Sequence, residues 1–404
     1  MSAAGNAIEI FTRQWYNALT TAANLSPLTF QLAQGSLGLG TTKDIIWQAF
    51  DSIPPASLNQ LFNPGALNSF ANTYGAVINN LYPQNGDAEQ KALGDKYAAW
   101  VTFQQKNDPP DSFDWSQPDA AKKARLAVFN KFAYKTGVDQ GKTTAMLTVL
   151  NQTDRVSEAI TKFNAAKDNF AYTASFTTLQ NALKSGQPKV VKFNSNTQSS
   201  DTSRSWAKGE VSGAYKFFSA EASAEWSKFT EDLSRSGFDI TVKFAKLATL
   251  TAGPYSNNSR TDPDLLEDKP WYDSAVLNMA YKNNNNKVWK HESPTWEETF
   301  GENGSLKRTT TGLIIVDGIT STITTSASVS SDKRDAFKAA AKAGFWPFFQ
   351  AEGEGGWTHN VTFKDDGSIT VESSTKEGNP NILGFSVQDF TSQLSWEKGK
   401  HEVA

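Results

Sequence analysis

The sequence predicts an α+β chain: an N-terminal all-helical domain followed by a mostly β region built from a duplicated strand–short helix–strand unit. Three observations lead there. Apolar residues recur at helical spacing through residues 1–186, between turns rich in Pro and Gly. Near SGQPK (185–189) the texture changes to Ser/Thr-rich alternation. And residues 199–226 return, without a gap, at 330–357. Nine of those 28 positions are identical, among them Asp201/Asp332, Gly213/Gly344, Phe217/Phe348, Phe218/Phe349, Glu221/Glu352 and Trp226/Trp357. A repeat of this kind sets the organisation of the chain. The expected division is a helical domain at 1–186, a first β-rich unit at 187–253, a polar connection at 254–311 and a second β-rich unit at 312–404.

In the first region a helix over 6–23 lines up Ile8, Phe11, Trp15, Ala18 and Leu19. SPLTFQLAQG predicts a second helix, with Ser26 as N-cap, Pro27 at the first helical position and Gly35 as the stop. Further helices are expected over 87–106, 116–136 and 154–184. Strands are expected over 236–253, 312–330, 359–367 and 368–374, where β-branched residues alternate with polar ones. The stretch 254–311, with KNNNNK and PYSNNSRTDPD, reads as long loops anchored by Trp271 and Trp296.

Within each repeat, Asp201 or Asp332 caps a short helix, and Gly213 or Gly344 suits the position past its end. An aromatic strand follows, YKFFSAEASAEW or WPFFQAEGEGGW. One face carries Ala220, Ala222, Ala224 and Trp226, or Ala351, Gly353, Gly355 and Trp357. Small residues on one face permit close approach of another element. An ITV strand closes both copies, at 240–242 and 369–371. The two units are expected to pack about a pseudo-twofold or side by side in one sheet.

Composition excludes several chemistries. The chain has 404 residues, no Cys and a net charge of −3. Residues 1–186 hold 15 basic and 14 acidic side chains, and the remainder 24 and 28. No basic surplus suits nucleic acid, and no run of four or more Lys/Arg suits anionic lipid. Thiolate metal sites, disulfides and Cys nucleophiles are ruled out. The start lacks the basic and apolar regions of a Sec-type signal. The compartment is therefore left between the cytoplasm and export by another route.

Catalytic signatures are absent. His291, His359 and His401 fall in no metal-binding spacing, and no HExxH occurs. TDPDLLED (261–268) lacks the central Gly of a calcium loop, and GSLGLGTTK (35–43) lacks the order of a phosphate loop. No cofactor is expected. Glu221 and Glu352 are the weak catalytic candidates, as a facing carboxylate pair across the repeat.

The Ser/Thr-rich strands point elsewhere. In STITTSASVS, Ile323, Thr325, Ala327 and Val329 alternate with Thr322, Thr324, Ser326 and Ser328. About 9–11 tilted residues span a bilayer as a barrel strand. Two such low-charge segments, each refolding into an inserted hairpin, resemble the architecture of pore-forming toxins. That likeness is one of architecture alone; the duplicated Ser/Thr strands, the helical domain and the absence of catalytic signatures lead to the expectation of a non-enzymatic, toxin-like protein that oligomerises and acts on membranes. Its membrane and assembly residues would be Ile323, Thr325, Ala327, Val329, Phe217, Phe218, Phe348, Phe349, Trp226 and Trp357. The expected partners are further copies of the chain and membrane lipid, not nucleic acid. The alternatives are a self-assembling structural or binding protein, and an enzyme using Glu221 and Glu352.

Overall fold

The computed structural model describes residues 3–39, 42–54, 69–82, 86–107, 120–151, 154–167, 169–198, 237–256, 265–285, 288–290, 293–325, 357–366 and 368–390. In chain order its elements are α1 (Ala3–Ala23), β1 (Phe30–Gly38), α2 (Lys43–Asp51), α3 (Phe70–Asn79), α4 (Gly86–Leu93), α5 (Tyr97–Lys106), α6 (Ala120–Thr136), α7 (Gln140–Asn151), α8 (Arg155–Ala165), α9 (Phe176–Ser185), β2 (Gln187–Asn194), β3 (Phe238–Thr251), α10 (Ser274–Lys282), α11 (Trp296–Phe300), β4 (Arg308–Thr325), β5 (Thr358–Phe363), β6 (Ile369–Ser374) and β7 (Asn381–Asp389). The chain is α+β, with its described strands in one antiparallel sheet.

These elements form two compact units, each assembled from separate stretches of chain. One comprises residues 1–67, 174–253 and 308–393; the other comprises 68–173, 254–307 and 394–404. The units interleave along the sequence, whereas the expected segments follow one another.

In the first unit the strand order is β1-β7-β4-β3-β2, and a β5–β6 hairpin pairs with the far half of β4 through β6. The 18-residue β4 is the spine. It pairs with β3 along one side, and with β7 and then β6 along the other. The hand-over from β7 to β6 falls at Asp317 and Gly318. Gly318 has φ +65, and a Cβ there would lie 2.8 Å from the Ala245 Cβ, so only glycine fits without strain. The Asp317 carboxylate, itself buried, accepts from the Gly378 amide (2.9 Å) and the Asn379 amide (3.1 Å) and so fixes the β6–β7 turn.

Alternation sends one face of this sheet into an apolar core. Val191 and Phe193 of β2, Ile240 and Val242 of β3, Ile319 and Ile323 of β4, and Ile369 and Val371 of β6 meet Trp15, Tyr16 and Leu19 of α1. The Tyr16 hydroxyl donates to the Phe30 carbonyl at 2.5 Å, which satisfies the one polar atom of its ring in that core. Helix α1 stops at Asn24, which takes the left-handed conformation (φ 55) that Asn tolerates.

The N-terminal region is not all helical, which corrects the expectation. SPLTFQLAQG forms a turn and then β1. The Phe30 amide donates back to the Ser26 carbonyl at 2.9 Å, so Ser26 and Pro27 make the turn rather than a helix start. Beyond it Phe30 and Leu32 alternate inward, and the strand finds a partner in β7. Gly384 permits that contact: a Cβ there would lie 2.4 Å from the Gln31 carbonyl oxygen.

Two expected helices are each divided. Within 87–106, Gly94 (φ +53) opens a single 3₁₀ turn between α4 and α5. Within 154–184, α8 begins at its N-cap Asp154 and ends at Ala165, and α9 starts afresh from a Ser175–Thr178 capping box.

The second unit holds two aromatic clusters. Trp100, Phe129 and Phe132 are fully buried with Met146 and Leu150 among α4 to α7. Trp271, also fully buried, sits at 5.1–6.4 Å between ring centroids from Tyr74, Phe163, Phe170, Tyr172, Tyr272 and Phe70. Its indole N–H donates to the Ala171 carbonyl at 2.7 Å. The stretch expected as polar loops also contains α10 and α11.

Candidate functional site

The far end of the sheet is where the chemistry-poor repeats of the sequence meet the fold. Five strands lie in register there: Phe193, Ile240, Ile323, Val371 and Val361 face one another across β2, β3, β4, β6 and β5. The two ITV segments thus flank β4 on either side. Residues 195–237 connect β2 to β3 from this end, and residues 326–368 separate β4 from its neighbour β6; each interval is 43 residues long. The described part of the second interval is Trp357, the strand β5 folded back on β6, and the turn that joins them.

Alternation in β4 matches the sequence pattern as far as the strand is described. Ile319, Ser321, Ile323 and Thr325 are buried, while Thr320 is exposed and Thr322 and Thr324 are partly so. Ile323 belongs to the core. The Thr325 hydroxyl donates to the Gly237 carbonyl (3.0 Å), and the Thr324 hydroxyl to the Asp239 carbonyl (3.3 Å). Both threonines therefore tie the end of β4 to the start of β3.

Trp357, the last residue of the second repeat, is 2% exposed and packs in the same core, its ring 6.2 Å from that of His359. His359 Nδ1 contacts the Ser373 hydroxyl across the β5–β6 pair. Ala327, Val329, Phe217, Phe218, Phe348, Phe349, Trp226, Glu221 and Glu352 lie outside the described residues.

Helix α1 reaches this end of the sheet as well. The Gln14 side-chain amide donates to the carbonyls of Ser195 (3.2 Å) and Thr197 (2.9 Å), and the Asn17 amide to that of Gln198 (3.0 Å). Three hydrogen bonds from one helix hold the stretch of chain that leads out of β2. Sequence reasoning missed this clasp because Gln14 and Asn17 carry no signal except their i, i+3 spacing on the helix.

A cleft of ≈ 380 Å³ opens between the two exits, lined by Asn194, Asn196, Asp239, Thr324, Lys364 and Asp366 among others. The Ser368 side chain and backbone amide draw the Asp366 carboxyl below its usual range. Among the described residues no group of three His, Cys, Asp or Glu side chains could hold a metal ion. Glu267 and Asp268 of the acidic TDPDLLED run are described, and buried Asp268 accepts from the Asn169 amide at 2.7 Å, a structural contact.

The second unit encloses a buried ionic cluster. The Arg125 guanidinium sits between Glu89 and Asp154, 3.1 Å from the latter, and the Trp100 indole donates to Glu89 at 2.9 Å. Burial pushes the Glu89 carboxyl up from its usual range against the pull of Arg125. Asp154 also caps α8, accepting from the amides of Val156 and Ser157. Every member of this cluster is engaged in holding helices together.

Among the described residues no helix is long and apolar enough to cross a membrane. No family model, no curated protein and no solved structure matches the chain.

Proposed function

We propose that the chain is a non-enzymatic, membrane-active protein of the pore-forming type, which oligomerises and inserts its two Ser/Thr-rich segments as β-hairpins. One observation carries this reading: the two 43-residue intervals start side by side, from β2 and β4, at the same end of one antiparallel sheet; the first leads into β3, and the second returns through β5, which is folded back on β6. Continuing β2 and β3 past that end prolongs an existing hydrogen-bond ladder, and continuing β4 and β6 does the same once β5 and its turn unpair from β6. Two arms of about ten residues each, the length a barrel strand needs, fit within either interval with residues to spare. The repeated sequence then has a physical purpose, since the two intervals would make equivalent hairpins.

Two of the three described outer strands, β2 and β1, carry devices that discourage pairing; the third is β5, which pairs with β6 alone among the described strands. Pro188, Lys189 and Lys192 lie on β2, and β1 is interrupted by an irregularity between Leu32 and Leu37. These blunted edges favour a form that stays single until a membrane triggers it, over a self-assembling structural protein.

The test is release of a dye from liposomes together with the mass of the protein before and after. Release accompanied by a shift to high mass is expected. A Val329→Asp substitution, which charges the apolar side of the second segment, is expected to abolish release and leave the fold intact. If that variant releases dye as well as the wild type does, the segment does not insert.

A further inference from the structure

Helix α6 gathers a basic stripe that no linear run of the sequence contains. Its seventeen residues, AAKKARLAVFNKFAYKT, include no Asp or Glu. Lys123, Ala127, Asn130, Lys131, Tyr134 and Lys135 are all exposed, at spacings of four, seven, eight, eleven and twelve residues from the first. Those spacings place them along one side of a helix. The opposite side is buried through Phe129 and Phe132. Tyr134 is 93% exposed, far more than any other large apolar side chain among the described residues. Among the described residues, Asp95 and Asp139 both pair with Lys142 of α7 rather than with the stripe.

We infer that this face of α6 docks on the surface of a bilayer carrying anionic lipid. The inference rests on the membrane-active reading above and names the lipid it would meet. Lysines near a negatively charged leaflet each add to binding, and long Lys stems let the ammonium groups reach phosphates while the helix lies flat. A phenol ring among them suits the headgroup level, where Tyr concentrates because one end is apolar and the other wet. The stripe's side chains are exposed, Tyr134 almost fully so, which fits a flat, extended partner better than an acidic peptide. Each lysine corresponds to about a fivefold change in affinity at such a surface.

The experiment is sedimentation of the full-length protein with liposomes of phosphatidylcholine, with and without phosphatidylserine, with dye release followed in the same samples. Binding is expected only with phosphatidylserine, and is expected to weaken as salt rises. The triple variant Lys123→Gln, Lys131→Gln, Lys135→Gln should bind on the order of a hundredfold more weakly. Its unfolding curve should match the wild type, because all three side chains are exposed. Tyr134→Ala should weaken binding by a smaller factor. Equal binding to both liposomes, wild-type binding by the triple variant, or tighter retention by poly-glutamate than by lipid would each overturn the inference. Lipid binding that depends on these lysines but brings no dye release would uphold the docking face and count against pore formation alone.

Discussion

At the scale of single residues, the sheet depends on a few positions where backbone geometry leaves no choice. Gly318 lies at the point where β4 exchanges one partner strand for another, with a positive φ and the Ala245 Cβ close by. A Gly318→Val substitution is expected to destabilise the fold by about 1–3 kcal/mol, measured by chemical denaturation. Beside it, Asp317→Ala would leave two turn amides without their acceptor and cost about 1–3 kcal/mol. In the second unit, Arg125→Met would strand two buried carboxylates and cost about 3–5 kcal/mol. Its pH dependence has a defined sign. Glu89 already binds its proton more readily folded than unfolded, because burial raises its carboxyl. Stability from this group is therefore greatest at low pH and falls as pH rises through that raised range. Removing Arg125 takes away the cation that opposes the shift, so the variant should lose stability more steeply with rising pH. A flat profile would mean that Glu89 is not held as described. The same residue scale explains the choice of Val329 for the insertion test: Ile323 sits in the core, and charging it would disrupt the sheet itself.

At the scale of elements, α1 both covers the core and clasps the chain leaving β2. The double variant Gln14→Leu, Asn17→Leu removes all three hydrogen bonds and leaves Trp15, Tyr16 and Leu19 in place. Amide exchange over residues 195–198 is expected to rise about tenfold. Unchanged exchange would mean that the clasp contributes nothing. Helices α1 and α6 and strands β3 to β6 are legible in the sequence, whereas α2, α3, α7, α10, α11 and β7 are not among the elements it predicts. Trp15 and Leu19 announced α1, and the alternation of ITV and of STITT announced β3, β4 and β6. β1 was not legible, because Ser26-Pro27 imitates a helix start and only pairing with β7 decides otherwise. Within 87–106 the break at Gly94 was hidden by continuous helical periodicity on both sides. Trp271 reads as an anchor in a polar loop; apart from Tyr272, the rings that line its pocket come from far away in the chain, which no local pattern reveals. At the candidate site, Ile323 and Thr325 were legible as a two-faced strand, whereas the α1 clasp depends on tertiary contact alone.

At the scale of the whole molecule, the account predicts a protein that is single in buffer and large on lipid. The blunted strands β1 and β2 suit the first state, and the two equal intervals at one end of the sheet suit the second. Ala222→Trp and Gly353→Trp, which put a large ring among the small residues that alternate in each repeat sequence, should leave the mass in buffer unchanged. A large particle in buffer that either variant dissolves would favour structural assembly instead. The most direct measurement is dye release from anionic liposomes by the wild type and by Val329→Asp, with the mass of each protein recorded before and after. The account predicts release and a shift to high mass for the wild type, and neither release nor altered folding for the variant. Wild-type protein that stays small and releases nothing, or a variant that releases as the wild type does, would contradict it.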